Sequence, residues 1–592
     1  MCGICGTLRF DNEKINDKQA RHMLDSIKMR GPDYTDTFST ENLYLGHSRL
    51  AVIDPSNKSH QPMKDDILNM VIVFNGVIYN YKELRIKLSK KGYNFFSDGD
   101  TEVILKSYHY YGRDCVKHFD GVFSFCIYDI TNQQLFLSRD RLGIKPLYYQ
   151  IDEMSFSFAS NTAALCQNKD VYKIDDESLH YHFTLHSVVP APKTILRDIF
   201  KLEPGSYAII NLKDKNFFKQ SYYSFNSIQL NKKLKEGDII SSIEQLLIES
   251  IKKRFNTADV DVGVLLSGGL DSSLIVALAK SINLSNINTY SIGFPSIEKE
   301  KGNEFYYSDL IANQFNTNHQ KYSITSDHLF KALDDVIKVM PEPMSSQDSS
   351  AFYLLAKNVS LHQKVVMSGQ GADELFGGYF WYENMMNTPG NDIDKFKVHY
   401  FDQDHLDYSK SINRNHISRD YTTDYIATAF SNEREDIGFI DKVLRLDLST
   451  LIIDDPVKRL DSMTMASGLE TRVPFLDIDL VEFVLSIPSA KKINNNGKYY
   501  LKKLAEKYLD NGMIYRDKFY FPVPPLKILK DKFLKYVSSI LLSEQCADRG
   551  VYNRAYISKL LSKPNSCITR LHGNKLWHLA LFERWFQLNI DT

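Results

Sequence analysis

The chain carries no excess charge to offer a polyanion. Its 72 Lys and Arg stand against 73 Asp and Glu over 592 residues, a formal net charge of -1. Nucleic acid or an anionic membrane as the main partner would call for a basic surplus. Cysteine is scarce as well: seven residues, an odd number, which argues against a disulfide framework. No apolar run approaches the ~18 residues that span a bilayer. The opening MCGICGTLRF lacks the basic start and apolar stretch of a signal peptide. Fixed-period repeats are missing, which sets aside solenoids and propellers. So is any G-x-x-x-x-G-K-[ST] segment, which sets aside Walker-type transfer of a γ-phosphate. These absences leave a cytosolic enzyme acting on small molecules as the expectation.

What is present suffices for more than one domain and for large cores, since the length far exceeds ~100–200 residues. The first ~210 residues read as short strands with a few helices. Met70 to Asn75 is an apolar strand expected to stop at a tight Asn-Gly turn. Val122–Tyr128 and Gln134–Ser138 read as a strand pair, and Tyr207–Leu212 as another strand. Residues 213–238 lose the strand rhythm and are expected to be a linker, between a first domain 1–212 and a second 239–592. There the pattern alternates: helix Ile239–Phe255, strand Val260–Leu266, helix Leu274–Ser281, strand Asn288–Ile292, helix Phe305–Phe315, strand Lys364–Ser368. Such alternation implies a parallel sheet covered on both faces. Beyond Asn391 the chain reads as mostly helical, with Lys395–Glu435 charged, irregular and without an assignable role.

Cys2 is the first residue with chemistry to offer. Removal of Met1 would leave a free α-amine, of pKa about 7.7–8.0, beside a thiol of about 8.5. The amine could then serve as the base for its own side chain. An incidental cysteine, or a C-x-x-C pair with Cys5, competes with that reading. A zinc site would need a second ligand pair, and Cys115 and Cys126 are too far apart in sequence to supply tight spacing. The remaining cysteines, Cys166, Cys546 and Cys567 included, read as structural thiols.

MCGIC is followed in order by Arg30-Gly31-Pro32-Asp33, Gly46-His47-Ser48-Arg49-Leu50, Asn75-Gly76 and Asp98-Gly99-Asp100-Thr101-Glu102. Together these resemble the class II glutamine amidotransferase domain. The resemblance implies an N-terminal-nucleophile αββα sandwich that hydrolyses glutamine to glutamate and ammonia. It implies Cys2 as nucleophile, Arg49 on the glutamine carboxylate, Asp100 on its ammonium, and Asn75 with Gly76 as oxyanion donors. Val77 stands where most members carry Glu.

The second site is Val262–Ser273, VGVLLSGGLDSS, an apolar strand, a glycine-containing loop and a helix. Such loops present backbone N–H groups to an anion. SGGLDSS resembles the PP-loop of ATP pyrophosphatases, which cleave ATP between the α and β phosphates. ATP would contact Leu266, Ser267, Gly268, Gly269, Asp271, Ser272, Ile292, Ser368 and Gly369. Asp271 and Asp373 are the natural oxygen ligands for Mg²⁺. With Ser368–Glu374 (SGQGADE) and Arg472–Asp477 (RVPFLD) the whole chain resembles the glutamine-hydrolysing asparagine synthetase family. This implies a HUP-like parallel-sheet synthetase domain with a helical C-terminal part, an internal ammonia tunnel, and a homodimer. Lys498 matches a family lysine beside the acyl-adenylate.

Gln370 and Gln347 depart from aspartate-amidating members, which carry Glu at the first position and Arg near the second. A small dianionic acceptor needs a fixed cation. The stretches His186–Pro192 (HSVVPAP), Asp454–Arg459 (DDPVKR), Phe521–Pro524 (FPVP) and Leu576–Leu581 are similar to the N-acetylglutaminylglutamine amidotransferase branch. That branch amidates the carboxylate of an acetylated dipeptide, giving a neutral osmolyte. Aspartate is the alternative acceptor. A silent regulatory relative conflicts with the intact Cys2, Arg49, Asn75 and Asp100, and a glutaminase alone would leave the PP-loop unexplained.

Overall fold

A computed structural model describes all residues except 12, 167–171, 495–496, 519–522 and 592. Phe521, Pro522 and Asn496 therefore lie outside the described residues. Twelve strands fall in the first 221 residues: β1 Gly3–Arg9, β2 Tyr34–Ser39, β3 Leu43–Arg49, β4 Met63–Asp65, β5 Met70–Ile78, β6 Gly121–Asp129, β7 Gln134–Arg139, β8 Tyr148–Ile151, β9 Ser155–Ala159, β10 Phe200–Lys201, β11 Ser206–Asn211 and β12 Phe217–Ser221. They form two antiparallel six-stranded sheets, ordered β10-β8-β9-β1-β3-β2 and β12-β11-β7-β6-β5-β4. Alternation puts Ile4, Leu8, Leu45 and Phe158 of one sheet against Val71, Val73, Leu137 and Ile210 of the other, in one dry cluster. The outer face of the second sheet packs Ile72, Phe74 and Phe125 on Leu84, Val103 and Leu105 of the helices Tyr81–Ser89 and Thr101–Tyr111. Helix Asp17–Ile27 covers the first sheet, burying Met23 and Ile27. This is the αββα sandwich.

Two readings are corrected here. β5 does not stop at Asn75-Gly76; it runs on to Ile78, with Asn75 opposite Ser124 and Gly76 opposite Phe123. Gly76, at φ 154°, is in the strand because a Cβ there would fall 2.2 Å from the Val122 carbonyl oxygen. The stretch expected to lack strand rhythm contains β12, which pairs with β11 from Ser206–Ser221 to Ile210–Phe217. β12 is an edge strand, mostly exposed, so it shows no apolar alternation.

The second half is built on five parallel strands: β13 Val262–Leu265, β14 Asn288–Gly293, β15 Asn318–Ser323, β16 Val365–Met367 and β17 Glu470–Arg472. Their order is β15-β14-β13-β16-β17. Helices Glu236–Asn256, Leu270–Ser281 and Phe305–Gln314 fall where the periodicity places them. Residues 395–435 are not irregular: three short helices, Asp392–Tyr400, His405–Ser411 and Tyr421–Ser431, cover them. One apolar cluster runs from Met1, Leu50 and Val77 through Val264 and Leu274 to Trp585, so the two halves share a core. Among the described residues no helix is long and apolar enough to cross a membrane. All seven cysteines are free thiols.

Candidate active sites

Cys2 immediately precedes β1 and is 8% exposed. It opens on a pocket that Arg49, Gly76, Val77 and Asp100 also line. The two charges expected to bind glutamine are held by different means. Arg49, at the end of β3, gives its guanidinium to the carbonyl oxygens of Ile53, Asp54 and Ser56, the last at 2.9 Å. These are neutral acceptors, so its positive charge stays uncancelled for a substrate carboxylate. Asp100 precedes helix Thr101–Tyr111 and accepts the Ile78 N–H at 3.0 Å. Burial raises its pKa to about 6, against the opposing pull of that hydrogen bond.

Asn75 lies in the middle of β5, fully buried, and its Oδ1 accepts the Cys2 N–H at 3.1 Å. With Met1 attached, that nitrogen is an amide. Once Met1 is removed the same contact holds the α-amine beside the thiol. Burial pushes the Cys2 thiol up, while the N-terminal ammonium, the Leu50 backbone and Arg49 pull it down. A neutral thiol with an adjacent amine base is the state that N-terminal-nucleophile chemistry starts from.

Two residues that sequence reasoning left out of this pocket belong to the other half of the chain. Glu470 and Arg472, on β17, form part of its wall. Glu470 Oε2 takes the Met1 ammonium at 2.6 Å, and its Oε1 takes Arg472 Nε at 2.6 Å. Burial would raise the Glu470 carboxyl, but those two cations outweigh it and hold it at about 2. A second link runs through Arg30, whose Nε donates to the Cys2 carbonyl oxygen at 3.1 Å and whose NH2 group meets Asp461 at 2.8 Å. Asp461 also takes Lys145 at 3.0 Å. Only Arg30 and Arg472 stood in quoted motifs, and nothing local marked their partners.

The second site lies at the carboxyl ends of the parallel strands, where ligands bind in open α/β sheets. β13 leads into Leu266–Gly269 and then into helix Leu270–Ser281. Ser272 Oγ accepts the Ser267 N–H at 3.2 Å and donates to the Gly269 carbonyl oxygen at 3.2 Å, closing the loop on itself. Ile292 lies near the end of β14 beside Ser291, whose hydroxyl donates to the Leu266 carbonyl oxygen. β16 delivers Ser368 and Gly369. A Cβ at Gly369 would sit 2.9 Å from Asp271 Cβ, so the SGQG and SGGLD loops touch.

Lys498, 6% exposed, reaches Asp271 at 2.7 Å and Asp373 at 2.8 Å. Its aliphatic stem passes where a Cβ at Gly378 would meet Lys498 Cε at 2.2 Å. Asp373 also takes Lys518, and its carboxyl is held at about 2 because Lys498 and Lys518 outweigh the burial that opposes them. Lys518, and Arg516 which donates to the Gly268 carbonyl oxygen at 3.0 Å, are further residues sequence reasoning missed. Their signal was the basic run just before the FPVP stretch. Asp271 Oδ1 is buried with no hydrogen-bond partner among the described residues. Two hard carboxylates converging on one cation are a donor set that fits Mg²⁺.

Gln347 precedes helix Asp348–Val359, and Gln370 precedes the short helix Ala372–Phe376; both are half-buried. Arg459 stands between these segments. Its Nε is 2.9 Å from Asp348, its NH1 meets Asp455, and it feels Tyr379 and Glu374 from the other side.

The family model for asparagine synthase matches residues 242–587, and that for the glutamine amidotransferase domain matches residues 1–223. Asparagine synthetase (glutamine-hydrolyzing) 1 of Bacillus subtilis strain 168 is 30% identical, covering 100% of this chain and 97% of that protein. Asparagine synthetase (glutamine-hydrolyzing) 3 of the same organism is 27% identical, covering 99% and 98%. With two sheets around Cys2 and a parallel sheet behind SGGLDSS, the chain belongs to the asparagine synthase family, the glutamine-hydrolysing, ATP-dependent ligases.

Proposed function

We propose that the chain amidates the carboxylate of an acetylated glutamine dipeptide, with residues 1–212 releasing ammonia and residues 239–592 activating the acceptor. Glutamine enters the Cys2 pocket with its α-carboxylate on Arg49 and its ammonium on Asp100. The Cys2 amine takes the thiol proton, and the thiolate attacks the side-chain amide. The developing oxyanion is met by the Gly76 N–H and by Asn75, whose Nδ2 is only 3.5 Å from Ser124 Oγ and so weakly engaged. One such donor is worth about 10²–10³ in rate.

At the second site the loop Ser267–Gly269 and Ser272 hold the phosphates. Asp271 and Asp373 would hold Mg²⁺, which supplies neutralisation of phosphate charge. The acceptor carboxylate attacks the α-phosphorus and pyrophosphate leaves. Lys498 stands beside the acyl-adenylate, and ammonia displaces AMP. The observation that carries this reading is the meeting of Lys498, Asp271 and Asp373 at the PP-loop of a chain that also buries Cys2 in a charged pocket.

The acceptor assignment rests on charge. Gln347 and Gln370 are neutral, and Arg459 beside them is already matched by Asp348 and Asp455. An amino acid with a second carboxylate finds little attraction for it there, whereas an acetylated dipeptide, with a single terminal carboxylate, loses less. Aspartate is the second reading, favoured by the names of the relatives. Pyrophosphate release measured with N-acetylglutaminylglutamine, aspartate and other small carboxylates decides between them. Release that depends on aspartate and ignores the dipeptide overturns the assignment. Cys2→Ala is expected to abolish glutamine-driven amide formation while added ammonia still supports it. Loss of both would sink the two-site scheme.

A further inference from the structure

Away from both sites, a buried cluster of imidazoles and a carboxylate sits where the two halves of the chain meet. His186 follows helix Asp176–Thr184, Asp402 follows helix Asp392–Tyr400, and His578 lies in the last helix, Lys575–Asn589. Asp402 Oδ2 is 3.3 Å from His186 Nδ1 and 3.4 Å from His578 Nδ1. One donor atom from each of the three side chains lies within 4.8 Å of the others. Asp402 and His578 are 3% and 4% exposed.

The spacing discriminates between two explanations. A charge-assisted N–H···O⁻ bond settles at about 2.7–2.9 Å, clearly shorter than both contacts. Donors about 2.0–2.1 Å from a tetrahedral ion are ~3.3–3.4 Å apart along each edge, which matches both. Two imidazoles with one carboxylate are also the donor set that a zinc-type ion takes when it keeps a fourth position open.

An independent observation comes from His182, one turn before His186. It is 2% exposed, and neither of its ring nitrogens has a hydrogen-bond partner among the described residues. Its ring packs against Phe183 and Phe582, with centroids 4.8 and 4.9 Å away. Burial first, then the adjacent His578, keeps it from protonating. Buried polar atoms left unmatched in a native fold call for an explanation such as an unseen water or ion. Cations are near as well: Arg459 opposes charge on His186, Lys575 on His578 and Lys458 on His182. Asp455 and Glu342 act in the opposite sense on His186 and His182.

We propose that His186, Asp402 and His578 form a binding site for a divalent transition-metal ion of the zinc class, with water as fourth ligand. Such an ion ties the loop after helix Asp176–Thr184 in the glutaminase half to the segment after helix Asp392–Tyr400 and to helix Lys575–Asn589 in the synthetase half. The adjacent Ser187 accepts the Ser345 N–H at 2.9 Å, so the same clamp braces the segment Pro343–Tyr353 beside the acceptor pocket. It takes no part in either half-reaction.

The test is equilibrium dialysis of the full, metal-depleted chain against Zn²⁺, and separately against Co²⁺ with its visible ligand-field spectrum recorded. The expected result is about one equivalent bound per chain and a tetrahedral Co²⁺ spectrum that added Zn²⁺ removes. Asp402→Asn and His578→Gln should each weaken binding by about 100-fold or more, with glutamine hydrolysis retained as proof of folding. A wild-type chain that binds well under one equivalent overturns the site whatever the variants do. So does binding that both variants preserve, since the ion would then sit elsewhere.

Discussion

Lowering the pH through 6 should switch off glutamine use by discharging Asp100. That carboxylate is the counter-charge for the substrate ammonium, and burial puts its pKa at about 6. It is then about 90% ionised at pH 7 and about 10% at pH 5, so discharge of Asp100 alone lowers kcat/KM for glutamine roughly tenfold between them, on top of the fall from protonation of the Cys2 amine. The Cys2 amine titrates at about 7.7–8.0, well above, so the two acidic limbs separate in one profile. Asp100→Asn should erase the lower limb. It also removes a hydrogen bond between charged groups, worth about 1.5–3 kcal/mol, or roughly 10–150-fold in kcat/KM at pH 7. Stability should move the other way. The native state holds this proton more tightly than the unfolded chain, from about 6 against an ordinary 3.8. Ionisation therefore penalises the fold above pH 6, by about 3 kcal/mol at 1.36 kcal/mol per unit. That penalty fades as pH drops from 6 toward 3.8. Asp100→Asn should melt higher than the parent at pH 8 and close to it near pH 4. Initial rates of glutamate release from pH 5 to 9 check the first claim, and thermal melts at both pH values check the second. ATP–pyrophosphate exchange reports whether the synthetase half is intact. A lower limb that persists in Asp100→Asn refutes the assignment, and so does a variant less stable than the parent at pH 8.

Two further outcomes follow from the ion pairs. Lys498→Met leaves Asp271 and Asp373 facing each other without their shared ammonium, so exchange of pyrophosphate into ATP should disappear while glutamate release continues. The fold should weaken by about 3–5 kcal/mol, as when one partner of a buried pair is removed, which denaturant titration measures. Asp461→Asn keeps shape but discharges the residue that Arg30 and Lys145 share. Glutamine should still be hydrolysed, with amide formed per glutamate released dropping several-fold; an unchanged ratio would detach Asp461 from coupling.

Legibility from sequence followed the range of the forces involved. SGGLDSS was readable because a strand, a tight loop and a helix start are decided within a dozen residues. Cys2, Arg49 and Asp100 were readable as an ordered set, although their convergence is tertiary. Asn75-Gly76 misled for the same reason that it usually informs. Asn-Gly favours a turn locally, but pairing with Ser124 and Phe123 across β6 overrides it, and the missing Cβ serves close approach instead. Strand Phe217–Ser221 was hidden because an edge strand that is mostly exposed has little apolar rhythm to display. The helices in 395–435 were hidden because they are short and bury few positions each, such as Phe396, Tyr400 and Ile426. Glu470 as a wall of the Cys2 pocket could not be read at all, since no local rule pairs it with an N-terminus 469 residues away.

Those long-range charges share one place, and their number needs a reason. Arg30 and Lys145 meet Asp461, and Lys201 with Lys458 meets Glu342 and Asp454, all of them nearly water-free. Each pair joins the sandwich to the synthetase half or lies against that junction. Desolvation makes buried pairs poor sources of stability, and apolar residues would serve that end as well. Their property is intolerance of displacement: moving one half by about 1 Å strands several buried charges at once, at several kcal/mol each. An apolar interface of the same area could slide. Arg30 carries the consequence to the chemistry, because one guanidinium holds both the Cys2 carbonyl oxygen and Asp461 on helix Lys458–Met465. The proposed nucleophile is thus referenced to the half of the chain proposed to consume its ammonia, and that registration is what the ion pairs supply.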